Sequence, residues 1–521
     1  MSGSFGGRTK RLNLRKWNET KHVGAKILIV TTVFAVIGLI ILSEILMNDE
    51  QSRISMNGEV IRAIPRGELL QPSIERTLPP YPDNEPPTDG SWKFVNGTRS
   101  KFFVFSAFYD RRGGKKIIRV IGATKTRGPE KVWCRLWYSV GPNNSTFEST
   151  SVMARVQIIR ENWDLKYSAC FVLCPLQAPG LEVPYAVSIV SKIRSPPGNL
   201  LLLRNTDQDF QVYKIAPNID QIPDKIGVCI KPFHYNYDSA LYLLEFLEMY
   251  SLLGVSHFTF YNHTLGPDAA CILRHYIDEG LASSNSITED GIAQRPTISM
   301  LPWDLRMQSQ KEIRTEGLFA AFNDCLYRSM YRYQYVAFVD VDEFIVPRRN
   351  DTLKDLLKWL SLKPNNINTG AYLFQNAFFY LQFADDSLMY ERNVSNPALR
   401  SALITQRKTR RRSKLNPHRQ RSKYICKPEL VVEVGNHFVW EFMPGQGHFN
   451  VPSDVAILHH YRVCELGGDD CVNDPSTVDR TAHKYSRRLT DRVEMMYNKL
   501  KRPCKLLDLP AVPTKAPEER K

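Results

Sequence analysis

The sequence predicts an α/β domain built on a parallel sheet, preceded by a β-sandwich-like module and an N-terminal transmembrane helix. Strand-like and helix-like segments alternate from about residue 222 onward, the pattern of a parallel sheet with right-handed crossovers. Short segments rich in β-branched and aromatic residues, punctuated by Gly, Pro and Asn, fill residues 92–215. An uncharged apolar run occupies Ile27–Ser43. A chain of 521 residues exceeds one core, and 43% hydrophobic with 11% aromatic residues excludes a wholly disordered chain. No repeat of 20–50 residues suggests a solenoid or propeller.

The N-terminus reads as a signal anchor. Residues 1–26 form a tail with seven basic side chains and one acid, and residues 27–46 form the span. As a helix, the run Ile27–Ser43 is roughly 25 Å long, the short end of a bilayer span and suited to a thinner secretory membrane. Basic residues precede it, while Glu44, Asp49 and Glu50 follow it, so the positive-inside rule places the remainder in the lumen. Two features agree with that compartment. Asn96, Asn143, Asn144, Asn262, Asn350 and Asn393 head N-x-S/T sequons, and all ten cysteines lie beyond the span. Cys464 with Cys471 is the expected local disulfide, and Cys170 with Cys174 the next. Residues 47–91, with seven prolines between Pro65 and Pro87, read as an extended stem.

Charge excludes one class of function. The net charge is +15, but residues 1–26 and the basic run 399–424, which has ten Lys or Arg and no acid, account for all of it. A domain-wide basic face for nucleic acid is therefore not expected, and residues 400–423 read as a solvated loop.

In the β-rich module the strand-like segments are FFVFSAFY, KIIRVIGA, KVWCRLWYSV, SVMARVQII, YSACFVL and YAVSIVSKI. In the α/β domain, Ile226–Ile230 is the first strand. Asp238 is placed to cap a helix running to Leu253, with apolar positions at Ala240, Leu243, Leu244, Leu247 and Tyr250 and Gly254 as its stop. His257–Tyr261 follows as a strand, Pro267–Glu279 as a helix ended by Gly280, Thr297–Leu301 as a strand and Gln310–Met330 as a long helix. Tyr335–Val339, an apolar run, is a fourth, buried strand. The α/β domain is expected over 222–490, with a tail at 491–521.

Ligands of such sheets bind at the carboxyl ends of the strands. The fourth strand runs directly into Asp340-Val341-Asp342. Two carboxylates one residue apart are hard oxygen ligands for Mn²⁺ or Mg²⁺, and an ion held there can neutralise a departing diphosphate. Glu343, next in an extended segment, is expected on the opposite face. Lys231 with His234, then Tyr261, Asn262 and His263, then Asp304, follow the first three strands. Downstream, SKYICKPELVVEVGNHFVWEF carries Lys427, Asn436, His437 and Glu441, and AILHHYRVC carries His459, His460 and Arg462. A neutral imidazole is a suitable third ligand for Mn²⁺.

VCIKPFHYNYDSALYLLEFLEMYSLLGVSHFTFYNH, FNDCLYRSMYRYQYVAFVDVDEFIVP, SKYICKP and LHHYR, in this order, resemble glycosyltransferase family 92 over about residues 222–490. The resemblance implies a GT-A fold, an inverting mechanism and UDP-galactose as donor. It also implies a β1,4 linkage to a terminal β-galactose of N-glycans, or to a fucose on N-glycan cores. It places Asp340, Asp342 and His460 on the metal, with His459 as the alternative imidazole; Lys231 and Tyr261, from their places at strand ends, and Asp340 are the candidates at the donor. For the base that deprotonates the acceptor hydroxyl it offers Glu441, with Asp304 and Asp386 as rivals. A Golgi type II enzyme, Mn²⁺ as cofactor and a nucleotide sugar with a glycoprotein glycan as partners are the resulting expectations. The rival from another class is an inactive, lectin-like glycan-binding protein.

Overall fold

The computed structural model describes residues 69–509 apart from 115, 141–145, 177–182, 214–221, 285–294, 364–367, 391–396 and 466–469. It also describes a short antiparallel hairpin, Ile54–Met56 with Glu59–Ile61. The chain divides into two units, Met1–Pro65 and Arg66–Lys521, and the hairpin belongs to the first. The span expected at 27–46 lies outside the described residues; no helix among those described is long and apolar enough to cross a membrane.

Within the second unit, the β-rich module contains β1 (Phe103–Asp110), β2 (Ile117–Lys125), β3 (Trp133–Ser139), β4 (Phe147–Met153), β5 (Arg155–Ile158), β6 (Tyr167–Pro175), β7 (Ala186–Val190) and β8 (Leu201–Arg204). They form one hydrogen-bonded path in the order β4-β3-β7-β8-β1-β2-β6-β5, with Lys93–Phe94 added beside β1. The path folds over on itself. Val104, Val120 and Val172 from one end share a core with Leu136, Val152 and Ile189 from the other. A disulfide from Cys134 on β3 to Cys174 on β6 clamps the two layers. The expected Cys170–Cys174 pair does not form: four residues apart on one strand is about 13 Å, about twice the reach of a disulfide. Cys170 is instead a free thiol buried in the module core.

The stem expected over 47–91 is corrected from residue 69 onward. Leu70 and Leu78 are buried, and Tyr81 stacks on Phe147 and meets Trp137 edge-on. Asp89 accepts from Arg204 Nε at 2.7 Å and Arg328 Nη1 at 3.0 Å. The prolines extend the segment, but its few apolar side chains are spaced to reach the module surface.

The second sheet contains β9 (Ile226–Cys229), β10 (Val255–Asn262), β11 (Thr297–Pro302) and β12 (Tyr335–Phe338), parallel in the order β11-β10-β9-β12. Beyond β12 the sheet is mixed. β16 (Lys423–Cys426) is antiparallel to both β12 and β14 (Thr369–Phe374), and β19 (Gly447–Asn450) runs parallel to β14 at the edge. A smaller sheet has β20 (Ala456–Arg462) between β13 (Glu343–Pro347) and β15 (Asn376–Tyr380). A hairpin of β17 (Val431–Val434) and β18 (Val439–Phe442) completes the strands around the site.

Helices α1 (Ala240–Leu252), α2 (Pro267–Ser284) and α5 (Ser486–Lys501) supply most of the apolar cover on one face of the parallel strands. On the other face lies α3 (Leu318–Ser329), packed between β9 and β12 on one side and β1, β2 and β6 of the module on the other. A fourth helix, α4 (Leu353–Ser361), buries Leu353, Leu356, Leu357 and Leu360 in the first core.

Several expected boundaries move for identifiable reasons. Asp238 does cap a helix, but α2 rather than α1: its carboxylate accepts from Ala269 N at 2.8 Å. Gly280 does not end α2, which continues to Ser284. The helix expected from Gln310 starts only at Leu318, because Thr315, Glu316 and Gly317 all have left-handed φ of 40°, 52° and 78°. The tail expected from 491 is part of the domain. Leu489, Val493, Met496, Tyr497 and Leu500 form one apolar stripe, and Cys504 is bonded to Cys271. The basic segment 400–423 is built in at its two ends, while residues 413–421 between them stay mostly exposed as expected. Lys408 pairs with Asp385 at 2.7 Å, Arg411 with Asp479 at 2.9 Å, Arg412 with Asp474 at 2.8 Å, and Lys423 is fully buried.

Two outcomes follow. A chain beginning at Ser91 should be secreted poorly and melt earlier than one beginning at Arg66. Asp89→Ala, which leaves two buried guanidinium groups without their shared carboxylate, should cost about 3 kcal/mol in chemical denaturation. Equal stability of the two chains would remove the structural role of residues 69–90. His257 and His459 are buried, which holds each imidazole down at about 3. As pH falls from 6.5 towards 3 the unfolded chain gains protons that the fold refuses, so stability present above 6.5 is lost. His257→Gln should flatten the fall by about 1 kcal/mol per pH unit between pH 6 and 4, read from denaturation midpoints.

Candidate active site

The strand β12 ends in a tight turn. Glu343 N donates to Asp340 O at 3.0 Å, and the Glu343 carboxylate accepts from Asp340 N at 2.9 Å. This turn reverses the expectation for Glu343. The segment is not extended there, so Glu343 comes back to the same cluster and is fully buried.

The turn leads into β13, which pairs antiparallel with β20 and sets Glu343 directly opposite His460. Residues directly opposite share a face of the sheet. His460 Nδ1 accordingly lies 3.2 Å from Glu343 Oε1, and its Nε2 lies 3.5 Å from Asp342 Oδ2. Asn376 Nδ2 lies 3.2 Å from the same Nδ1. His459, one residue earlier, faces the other way, stacked on Phe379 with Nδ1 3.2 Å from the Tyr461 hydroxyl. Strand alternation thus brings His460 to the site and keeps the alternative imidazole out of it.

Two lysines hold Asp340. Lys231, just past β9, places Nζ 3.2 Å from Asp340 Oδ2. Lys423, at the start of β16, lies 3.5 Å from the same oxygen and 3.3 Å from Glu343 Oε2. Burial acts to raise the Asp340 carboxyl, but Lys231 and then Lys423 outweigh it and hold the group below the usual carboxylate range. Burial likewise opposes ionisation of Asp342, and His460 followed by Lys231 overcomes it. Glu343 goes the other way: burial dominates and raises it. Tyr237, at the end of the loop after Lys231, is pushed up by burial and then by the Asp342 charge, which places its hydroxyl in the same field.

A divalent cation fits this donor set. Asp340 Oδ1 is buried and has no hydrogen-bond partner among the described residues. The Asp342 side chain, 41% exposed, opens to solvent beside His460 Nε2. Two carboxylate oxygens and one imidazole nitrogen suit Mn²⁺.

Lys231, Asp340, Asp342 and His460 are therefore brought together. Tyr261, Glu441 and Asp386 are not. The Tyr261 ring points to the opposite face of the sheet, where its hydroxyl donates to Asp324 Oδ2 at 2.6 Å. Glu441 accepts from Arg160 Nη2 at 2.6 Å, against the β module. Asp386 is tied to Arg480 Nε at 2.7 Å and to Thr409. Asp304 is exposed on the segment after β11. Near these strand ends, His234 Nδ1 lies 3.0 Å from Pro232 O, and His263 Nε2 lies 3.7 Å from Glu316. Lys427 does not enter the cluster; its backbone N–H donates to Gly370 O at 2.9 Å. Arg462 pairs with Glu465. The side chains that sequence reasoning missed are Glu343, Lys423, Asn376 and Tyr237. Lys423 stood in SKYICKP, and its signal was its place at the head of a strand antiparallel to β12.

Residues 224–505 match the sequence model of glycosyltransferase family 92. A glycosyltransferase family 92 protein of Caenorhabditis elegans is 27% identical over 154 residues, which is 30% of this chain. The match spans 29% of that relative's length. Among solved structures, glucosyl-3-phosphoglycerate synthase from Mycobacterium tuberculosis, in complex with phosphoglyceric acid, aligns over 56% of this chain and 85% of its own. The identity is 13% and the TM-score 0.21, and no argument rests on that likeness. The family match covers more than half of the chain and holds the whole charged cluster, from Lys231 through Asp340, Asp342 and Lys423 to His460, so this protein belongs to glycosyltransferase family 92.

Proposed function

We propose that this chain is a metal-dependent, inverting galactosyltransferase with a GT-A fold. It would move galactose from UDP-galactose to a terminal β-galactose of N-glycans in β1,4 linkage. The observation that carries the reading is the cluster at the ends of β9 and β12: two carboxylates, an imidazole and two lysines, Lys423 buried and Lys231 partly exposed, around one point. Family membership supports glycosyl transfer; the resemblance of the motifs supports the choice of galactose.

Asp340 Oδ1, Asp342 and His460 Nε2 would hold Mn²⁺, which when bound supplies positive charge to the diphosphate leaving group. The chain's own residues do the rest. Lys231 presents a second cation at the strand ends, in a setting where burial strengthens its electrostatics. Glu343, opposite His460 on the paired strand, orients the His460 ring. The acceptor hydroxyl attacks the anomeric carbon as the bond to the UDP oxygen breaks, its proton passes to a carboxylate base, for which Asp304, exposed after β11, is the candidate, and configuration inverts. Glu441 is not assigned as base, because its carboxylate is engaged by Arg160.

The N-terminal run 27–46 would anchor the protein in the Golgi membrane with the catalytic domain in the lumen. Four disulfides, Cys134–Cys174, Cys229–Cys325, Cys271–Cys504 and Cys464–Cys471, support an oxidising compartment. Protease digestion of intact vesicles should spare the C-terminal domain until detergent is added; digestion without detergent would reverse the topology.

Transfer should be measured against a panel of UDP-sugars and glycan acceptors with Mn²⁺ or EDTA, with the product linkage read by mass spectrometry. Asp342→Ala should keep the fold and lower kcat by about 10³, near 4 kcal/mol of transition-state stabilisation. Asp342→Asn, which keeps the shape and removes the charge, should behave similarly. Glu343→Gln should weaken Mn²⁺ affinity about tenfold, because it loosens the His460 ring rather than removing a ligand. Near wild-type transfer by Asp342→Ala would refute the metal assignment.

A further inference from the structure

We infer that the β module is part of the catalytic apparatus, with Glu161 as a positioning residue that sets Lys423 against Asp340. The inference rests on the reading of the cluster as a nucleotide-sugar site. Glu161 stands in the loop between β5 and β6. Its Oε2 accepts from Asn436 N at 2.9 Å and from Trp440 Nε1 at 3.0 Å. Asn436 is in the turn of the β17–β18 hairpin, and its Oδ1 accepts from Lys423 Nζ at 2.8 Å. Lys423 in turn reaches Glu343 and Asp340. Three contacts thus connect a module loop to the first carboxylate of the candidate metal site.

The loop and the hairpin are fitted to one another. A Cβ on Gly435 would lie 2.3 Å from Glu161 Oε2 and 2.4 Å from Trp440 Nε1, so only glycine lets the carboxylate approach. Arg160 grips the same hairpin: its N donates to Glu433 Oε1 at 2.8 Å, Nη1 to Trp440 O at 2.8 Å and Nη2 to Glu441 Oε2 at 2.6 Å. From the other side, Asn323 on α3 exchanges two hydrogen bonds with the backbone of Val434, each 3.0 Å. The hairpin turn is therefore held from the module and from the catalytic domain together. Lys423 is fully buried and has three acceptors, Asn436 Oδ1, Asp340 and Glu343. Loss of the Asn436 contact leaves the ammonium to swing onto the two carboxylates, which changes how Asp340 presents its remaining oxygen.

The test uses the full chain in detergent. Mn²⁺ affinity is measured directly by paramagnetic titration, UDP affinity by calorimetry with Mn²⁺ present, and transfer by kcat and KM. Glu161→Ala should weaken Mn²⁺ and UDP binding about tenfold or more, the range for partners behind metal ligands. Glu161→Gln should restore binding to within about threefold, because both hydrogen bonds land on one oxygen and a carbamoyl oxygen accepts them as well. Asn436→Ala breaks the connection beyond the module and should match Glu161→Ala, which covers the case in which Glu161→Ala does not fold. Arg127→Ala, at an exposed ion pair near the same loop, should leave every reading unchanged. Wild-type Mn²⁺ and UDP affinity in folded Glu161→Ala or in Asn436→Ala overturns the inference alone. A wild-type chain that binds neither Mn²⁺ nor UDP overturns the reading of the site itself.

Discussion

The helix Leu318–Ser329 is the constraint on which the rest of the structure depends. It is wedged between two sheets and presents apolar side chains to both, Phe322 to Phe338 on one side and Tyr327 to Phe108 and Phe171 on the other. Its one fully buried acid, Asp324, joins the layers. The carboxylate accepts from Ser106 on β1, from Tyr261 on β10 and from Arg328 one turn on, while Arg328 reaches Asp89 in the segment before the module. A buried carboxylate with every oxygen engaged is tolerated; with one partner removed it is strongly destabilising. The ion cluster therefore fixes the register of the module on the catalytic sheet. The disulfide Cys229–Cys325 ties the same helix to β9 two residues before Lys231.

That register is what gives the strand ends their chemistry. The cluster at Asp340 balances two lysines against three carboxylates in a buried setting. Arrangements of this kind exist only where surrounding elements hold each group in place. β9 supplies Lys231, β12 supplies Asp340, β16 supplies Lys423 and β20 supplies His460. The contributing residues are separated by more than 200 positions in the chain, and no local segment could assemble them.

Legibility in the sequence followed how local each cause was. The four parallel strands and helix α1 were visible because hydrophobic periodicity is written within ten or fifteen residues. Asp340 and Asp342 were visible because a buried strand leads straight into them. Glu343 was misplaced because the turn that folds it back depends on its own hydrogen bond to Asp340 N. Tyr261 was assigned to the donor from its position at a strand end, yet the parity of the strand sends it to the other face. The apolar stripe of the last helix was readable at Leu489, Val493, Met496 and Leu500. It reads as a tail because its binding partner, helix α1, lies more than 230 residues earlier. The same distance hides Cys271–Cys504, whereas Cys464–Cys471 was legible because seven residues separate its ends.

By itself, the sequence determined the element types, the parallel order of chain segments, the carboxylate pair and the family pattern, since each is set by spacing along the backbone. Only the tertiary structure decided which imidazole meets the carboxylates, which lysines neutralise them and whether the segment before the module is free or packed. Those are questions of facing, and facing is settled by pairing register and by which surfaces bury one another. The basic run at 400–423 shows the difference: as a string of residues it has no acid to pair with. In the fold, Asp385, Asp474, Asp479 and Asp340 come to it from elsewhere, so its two ends are built in and Lys423 enters the site while the middle stays exposed.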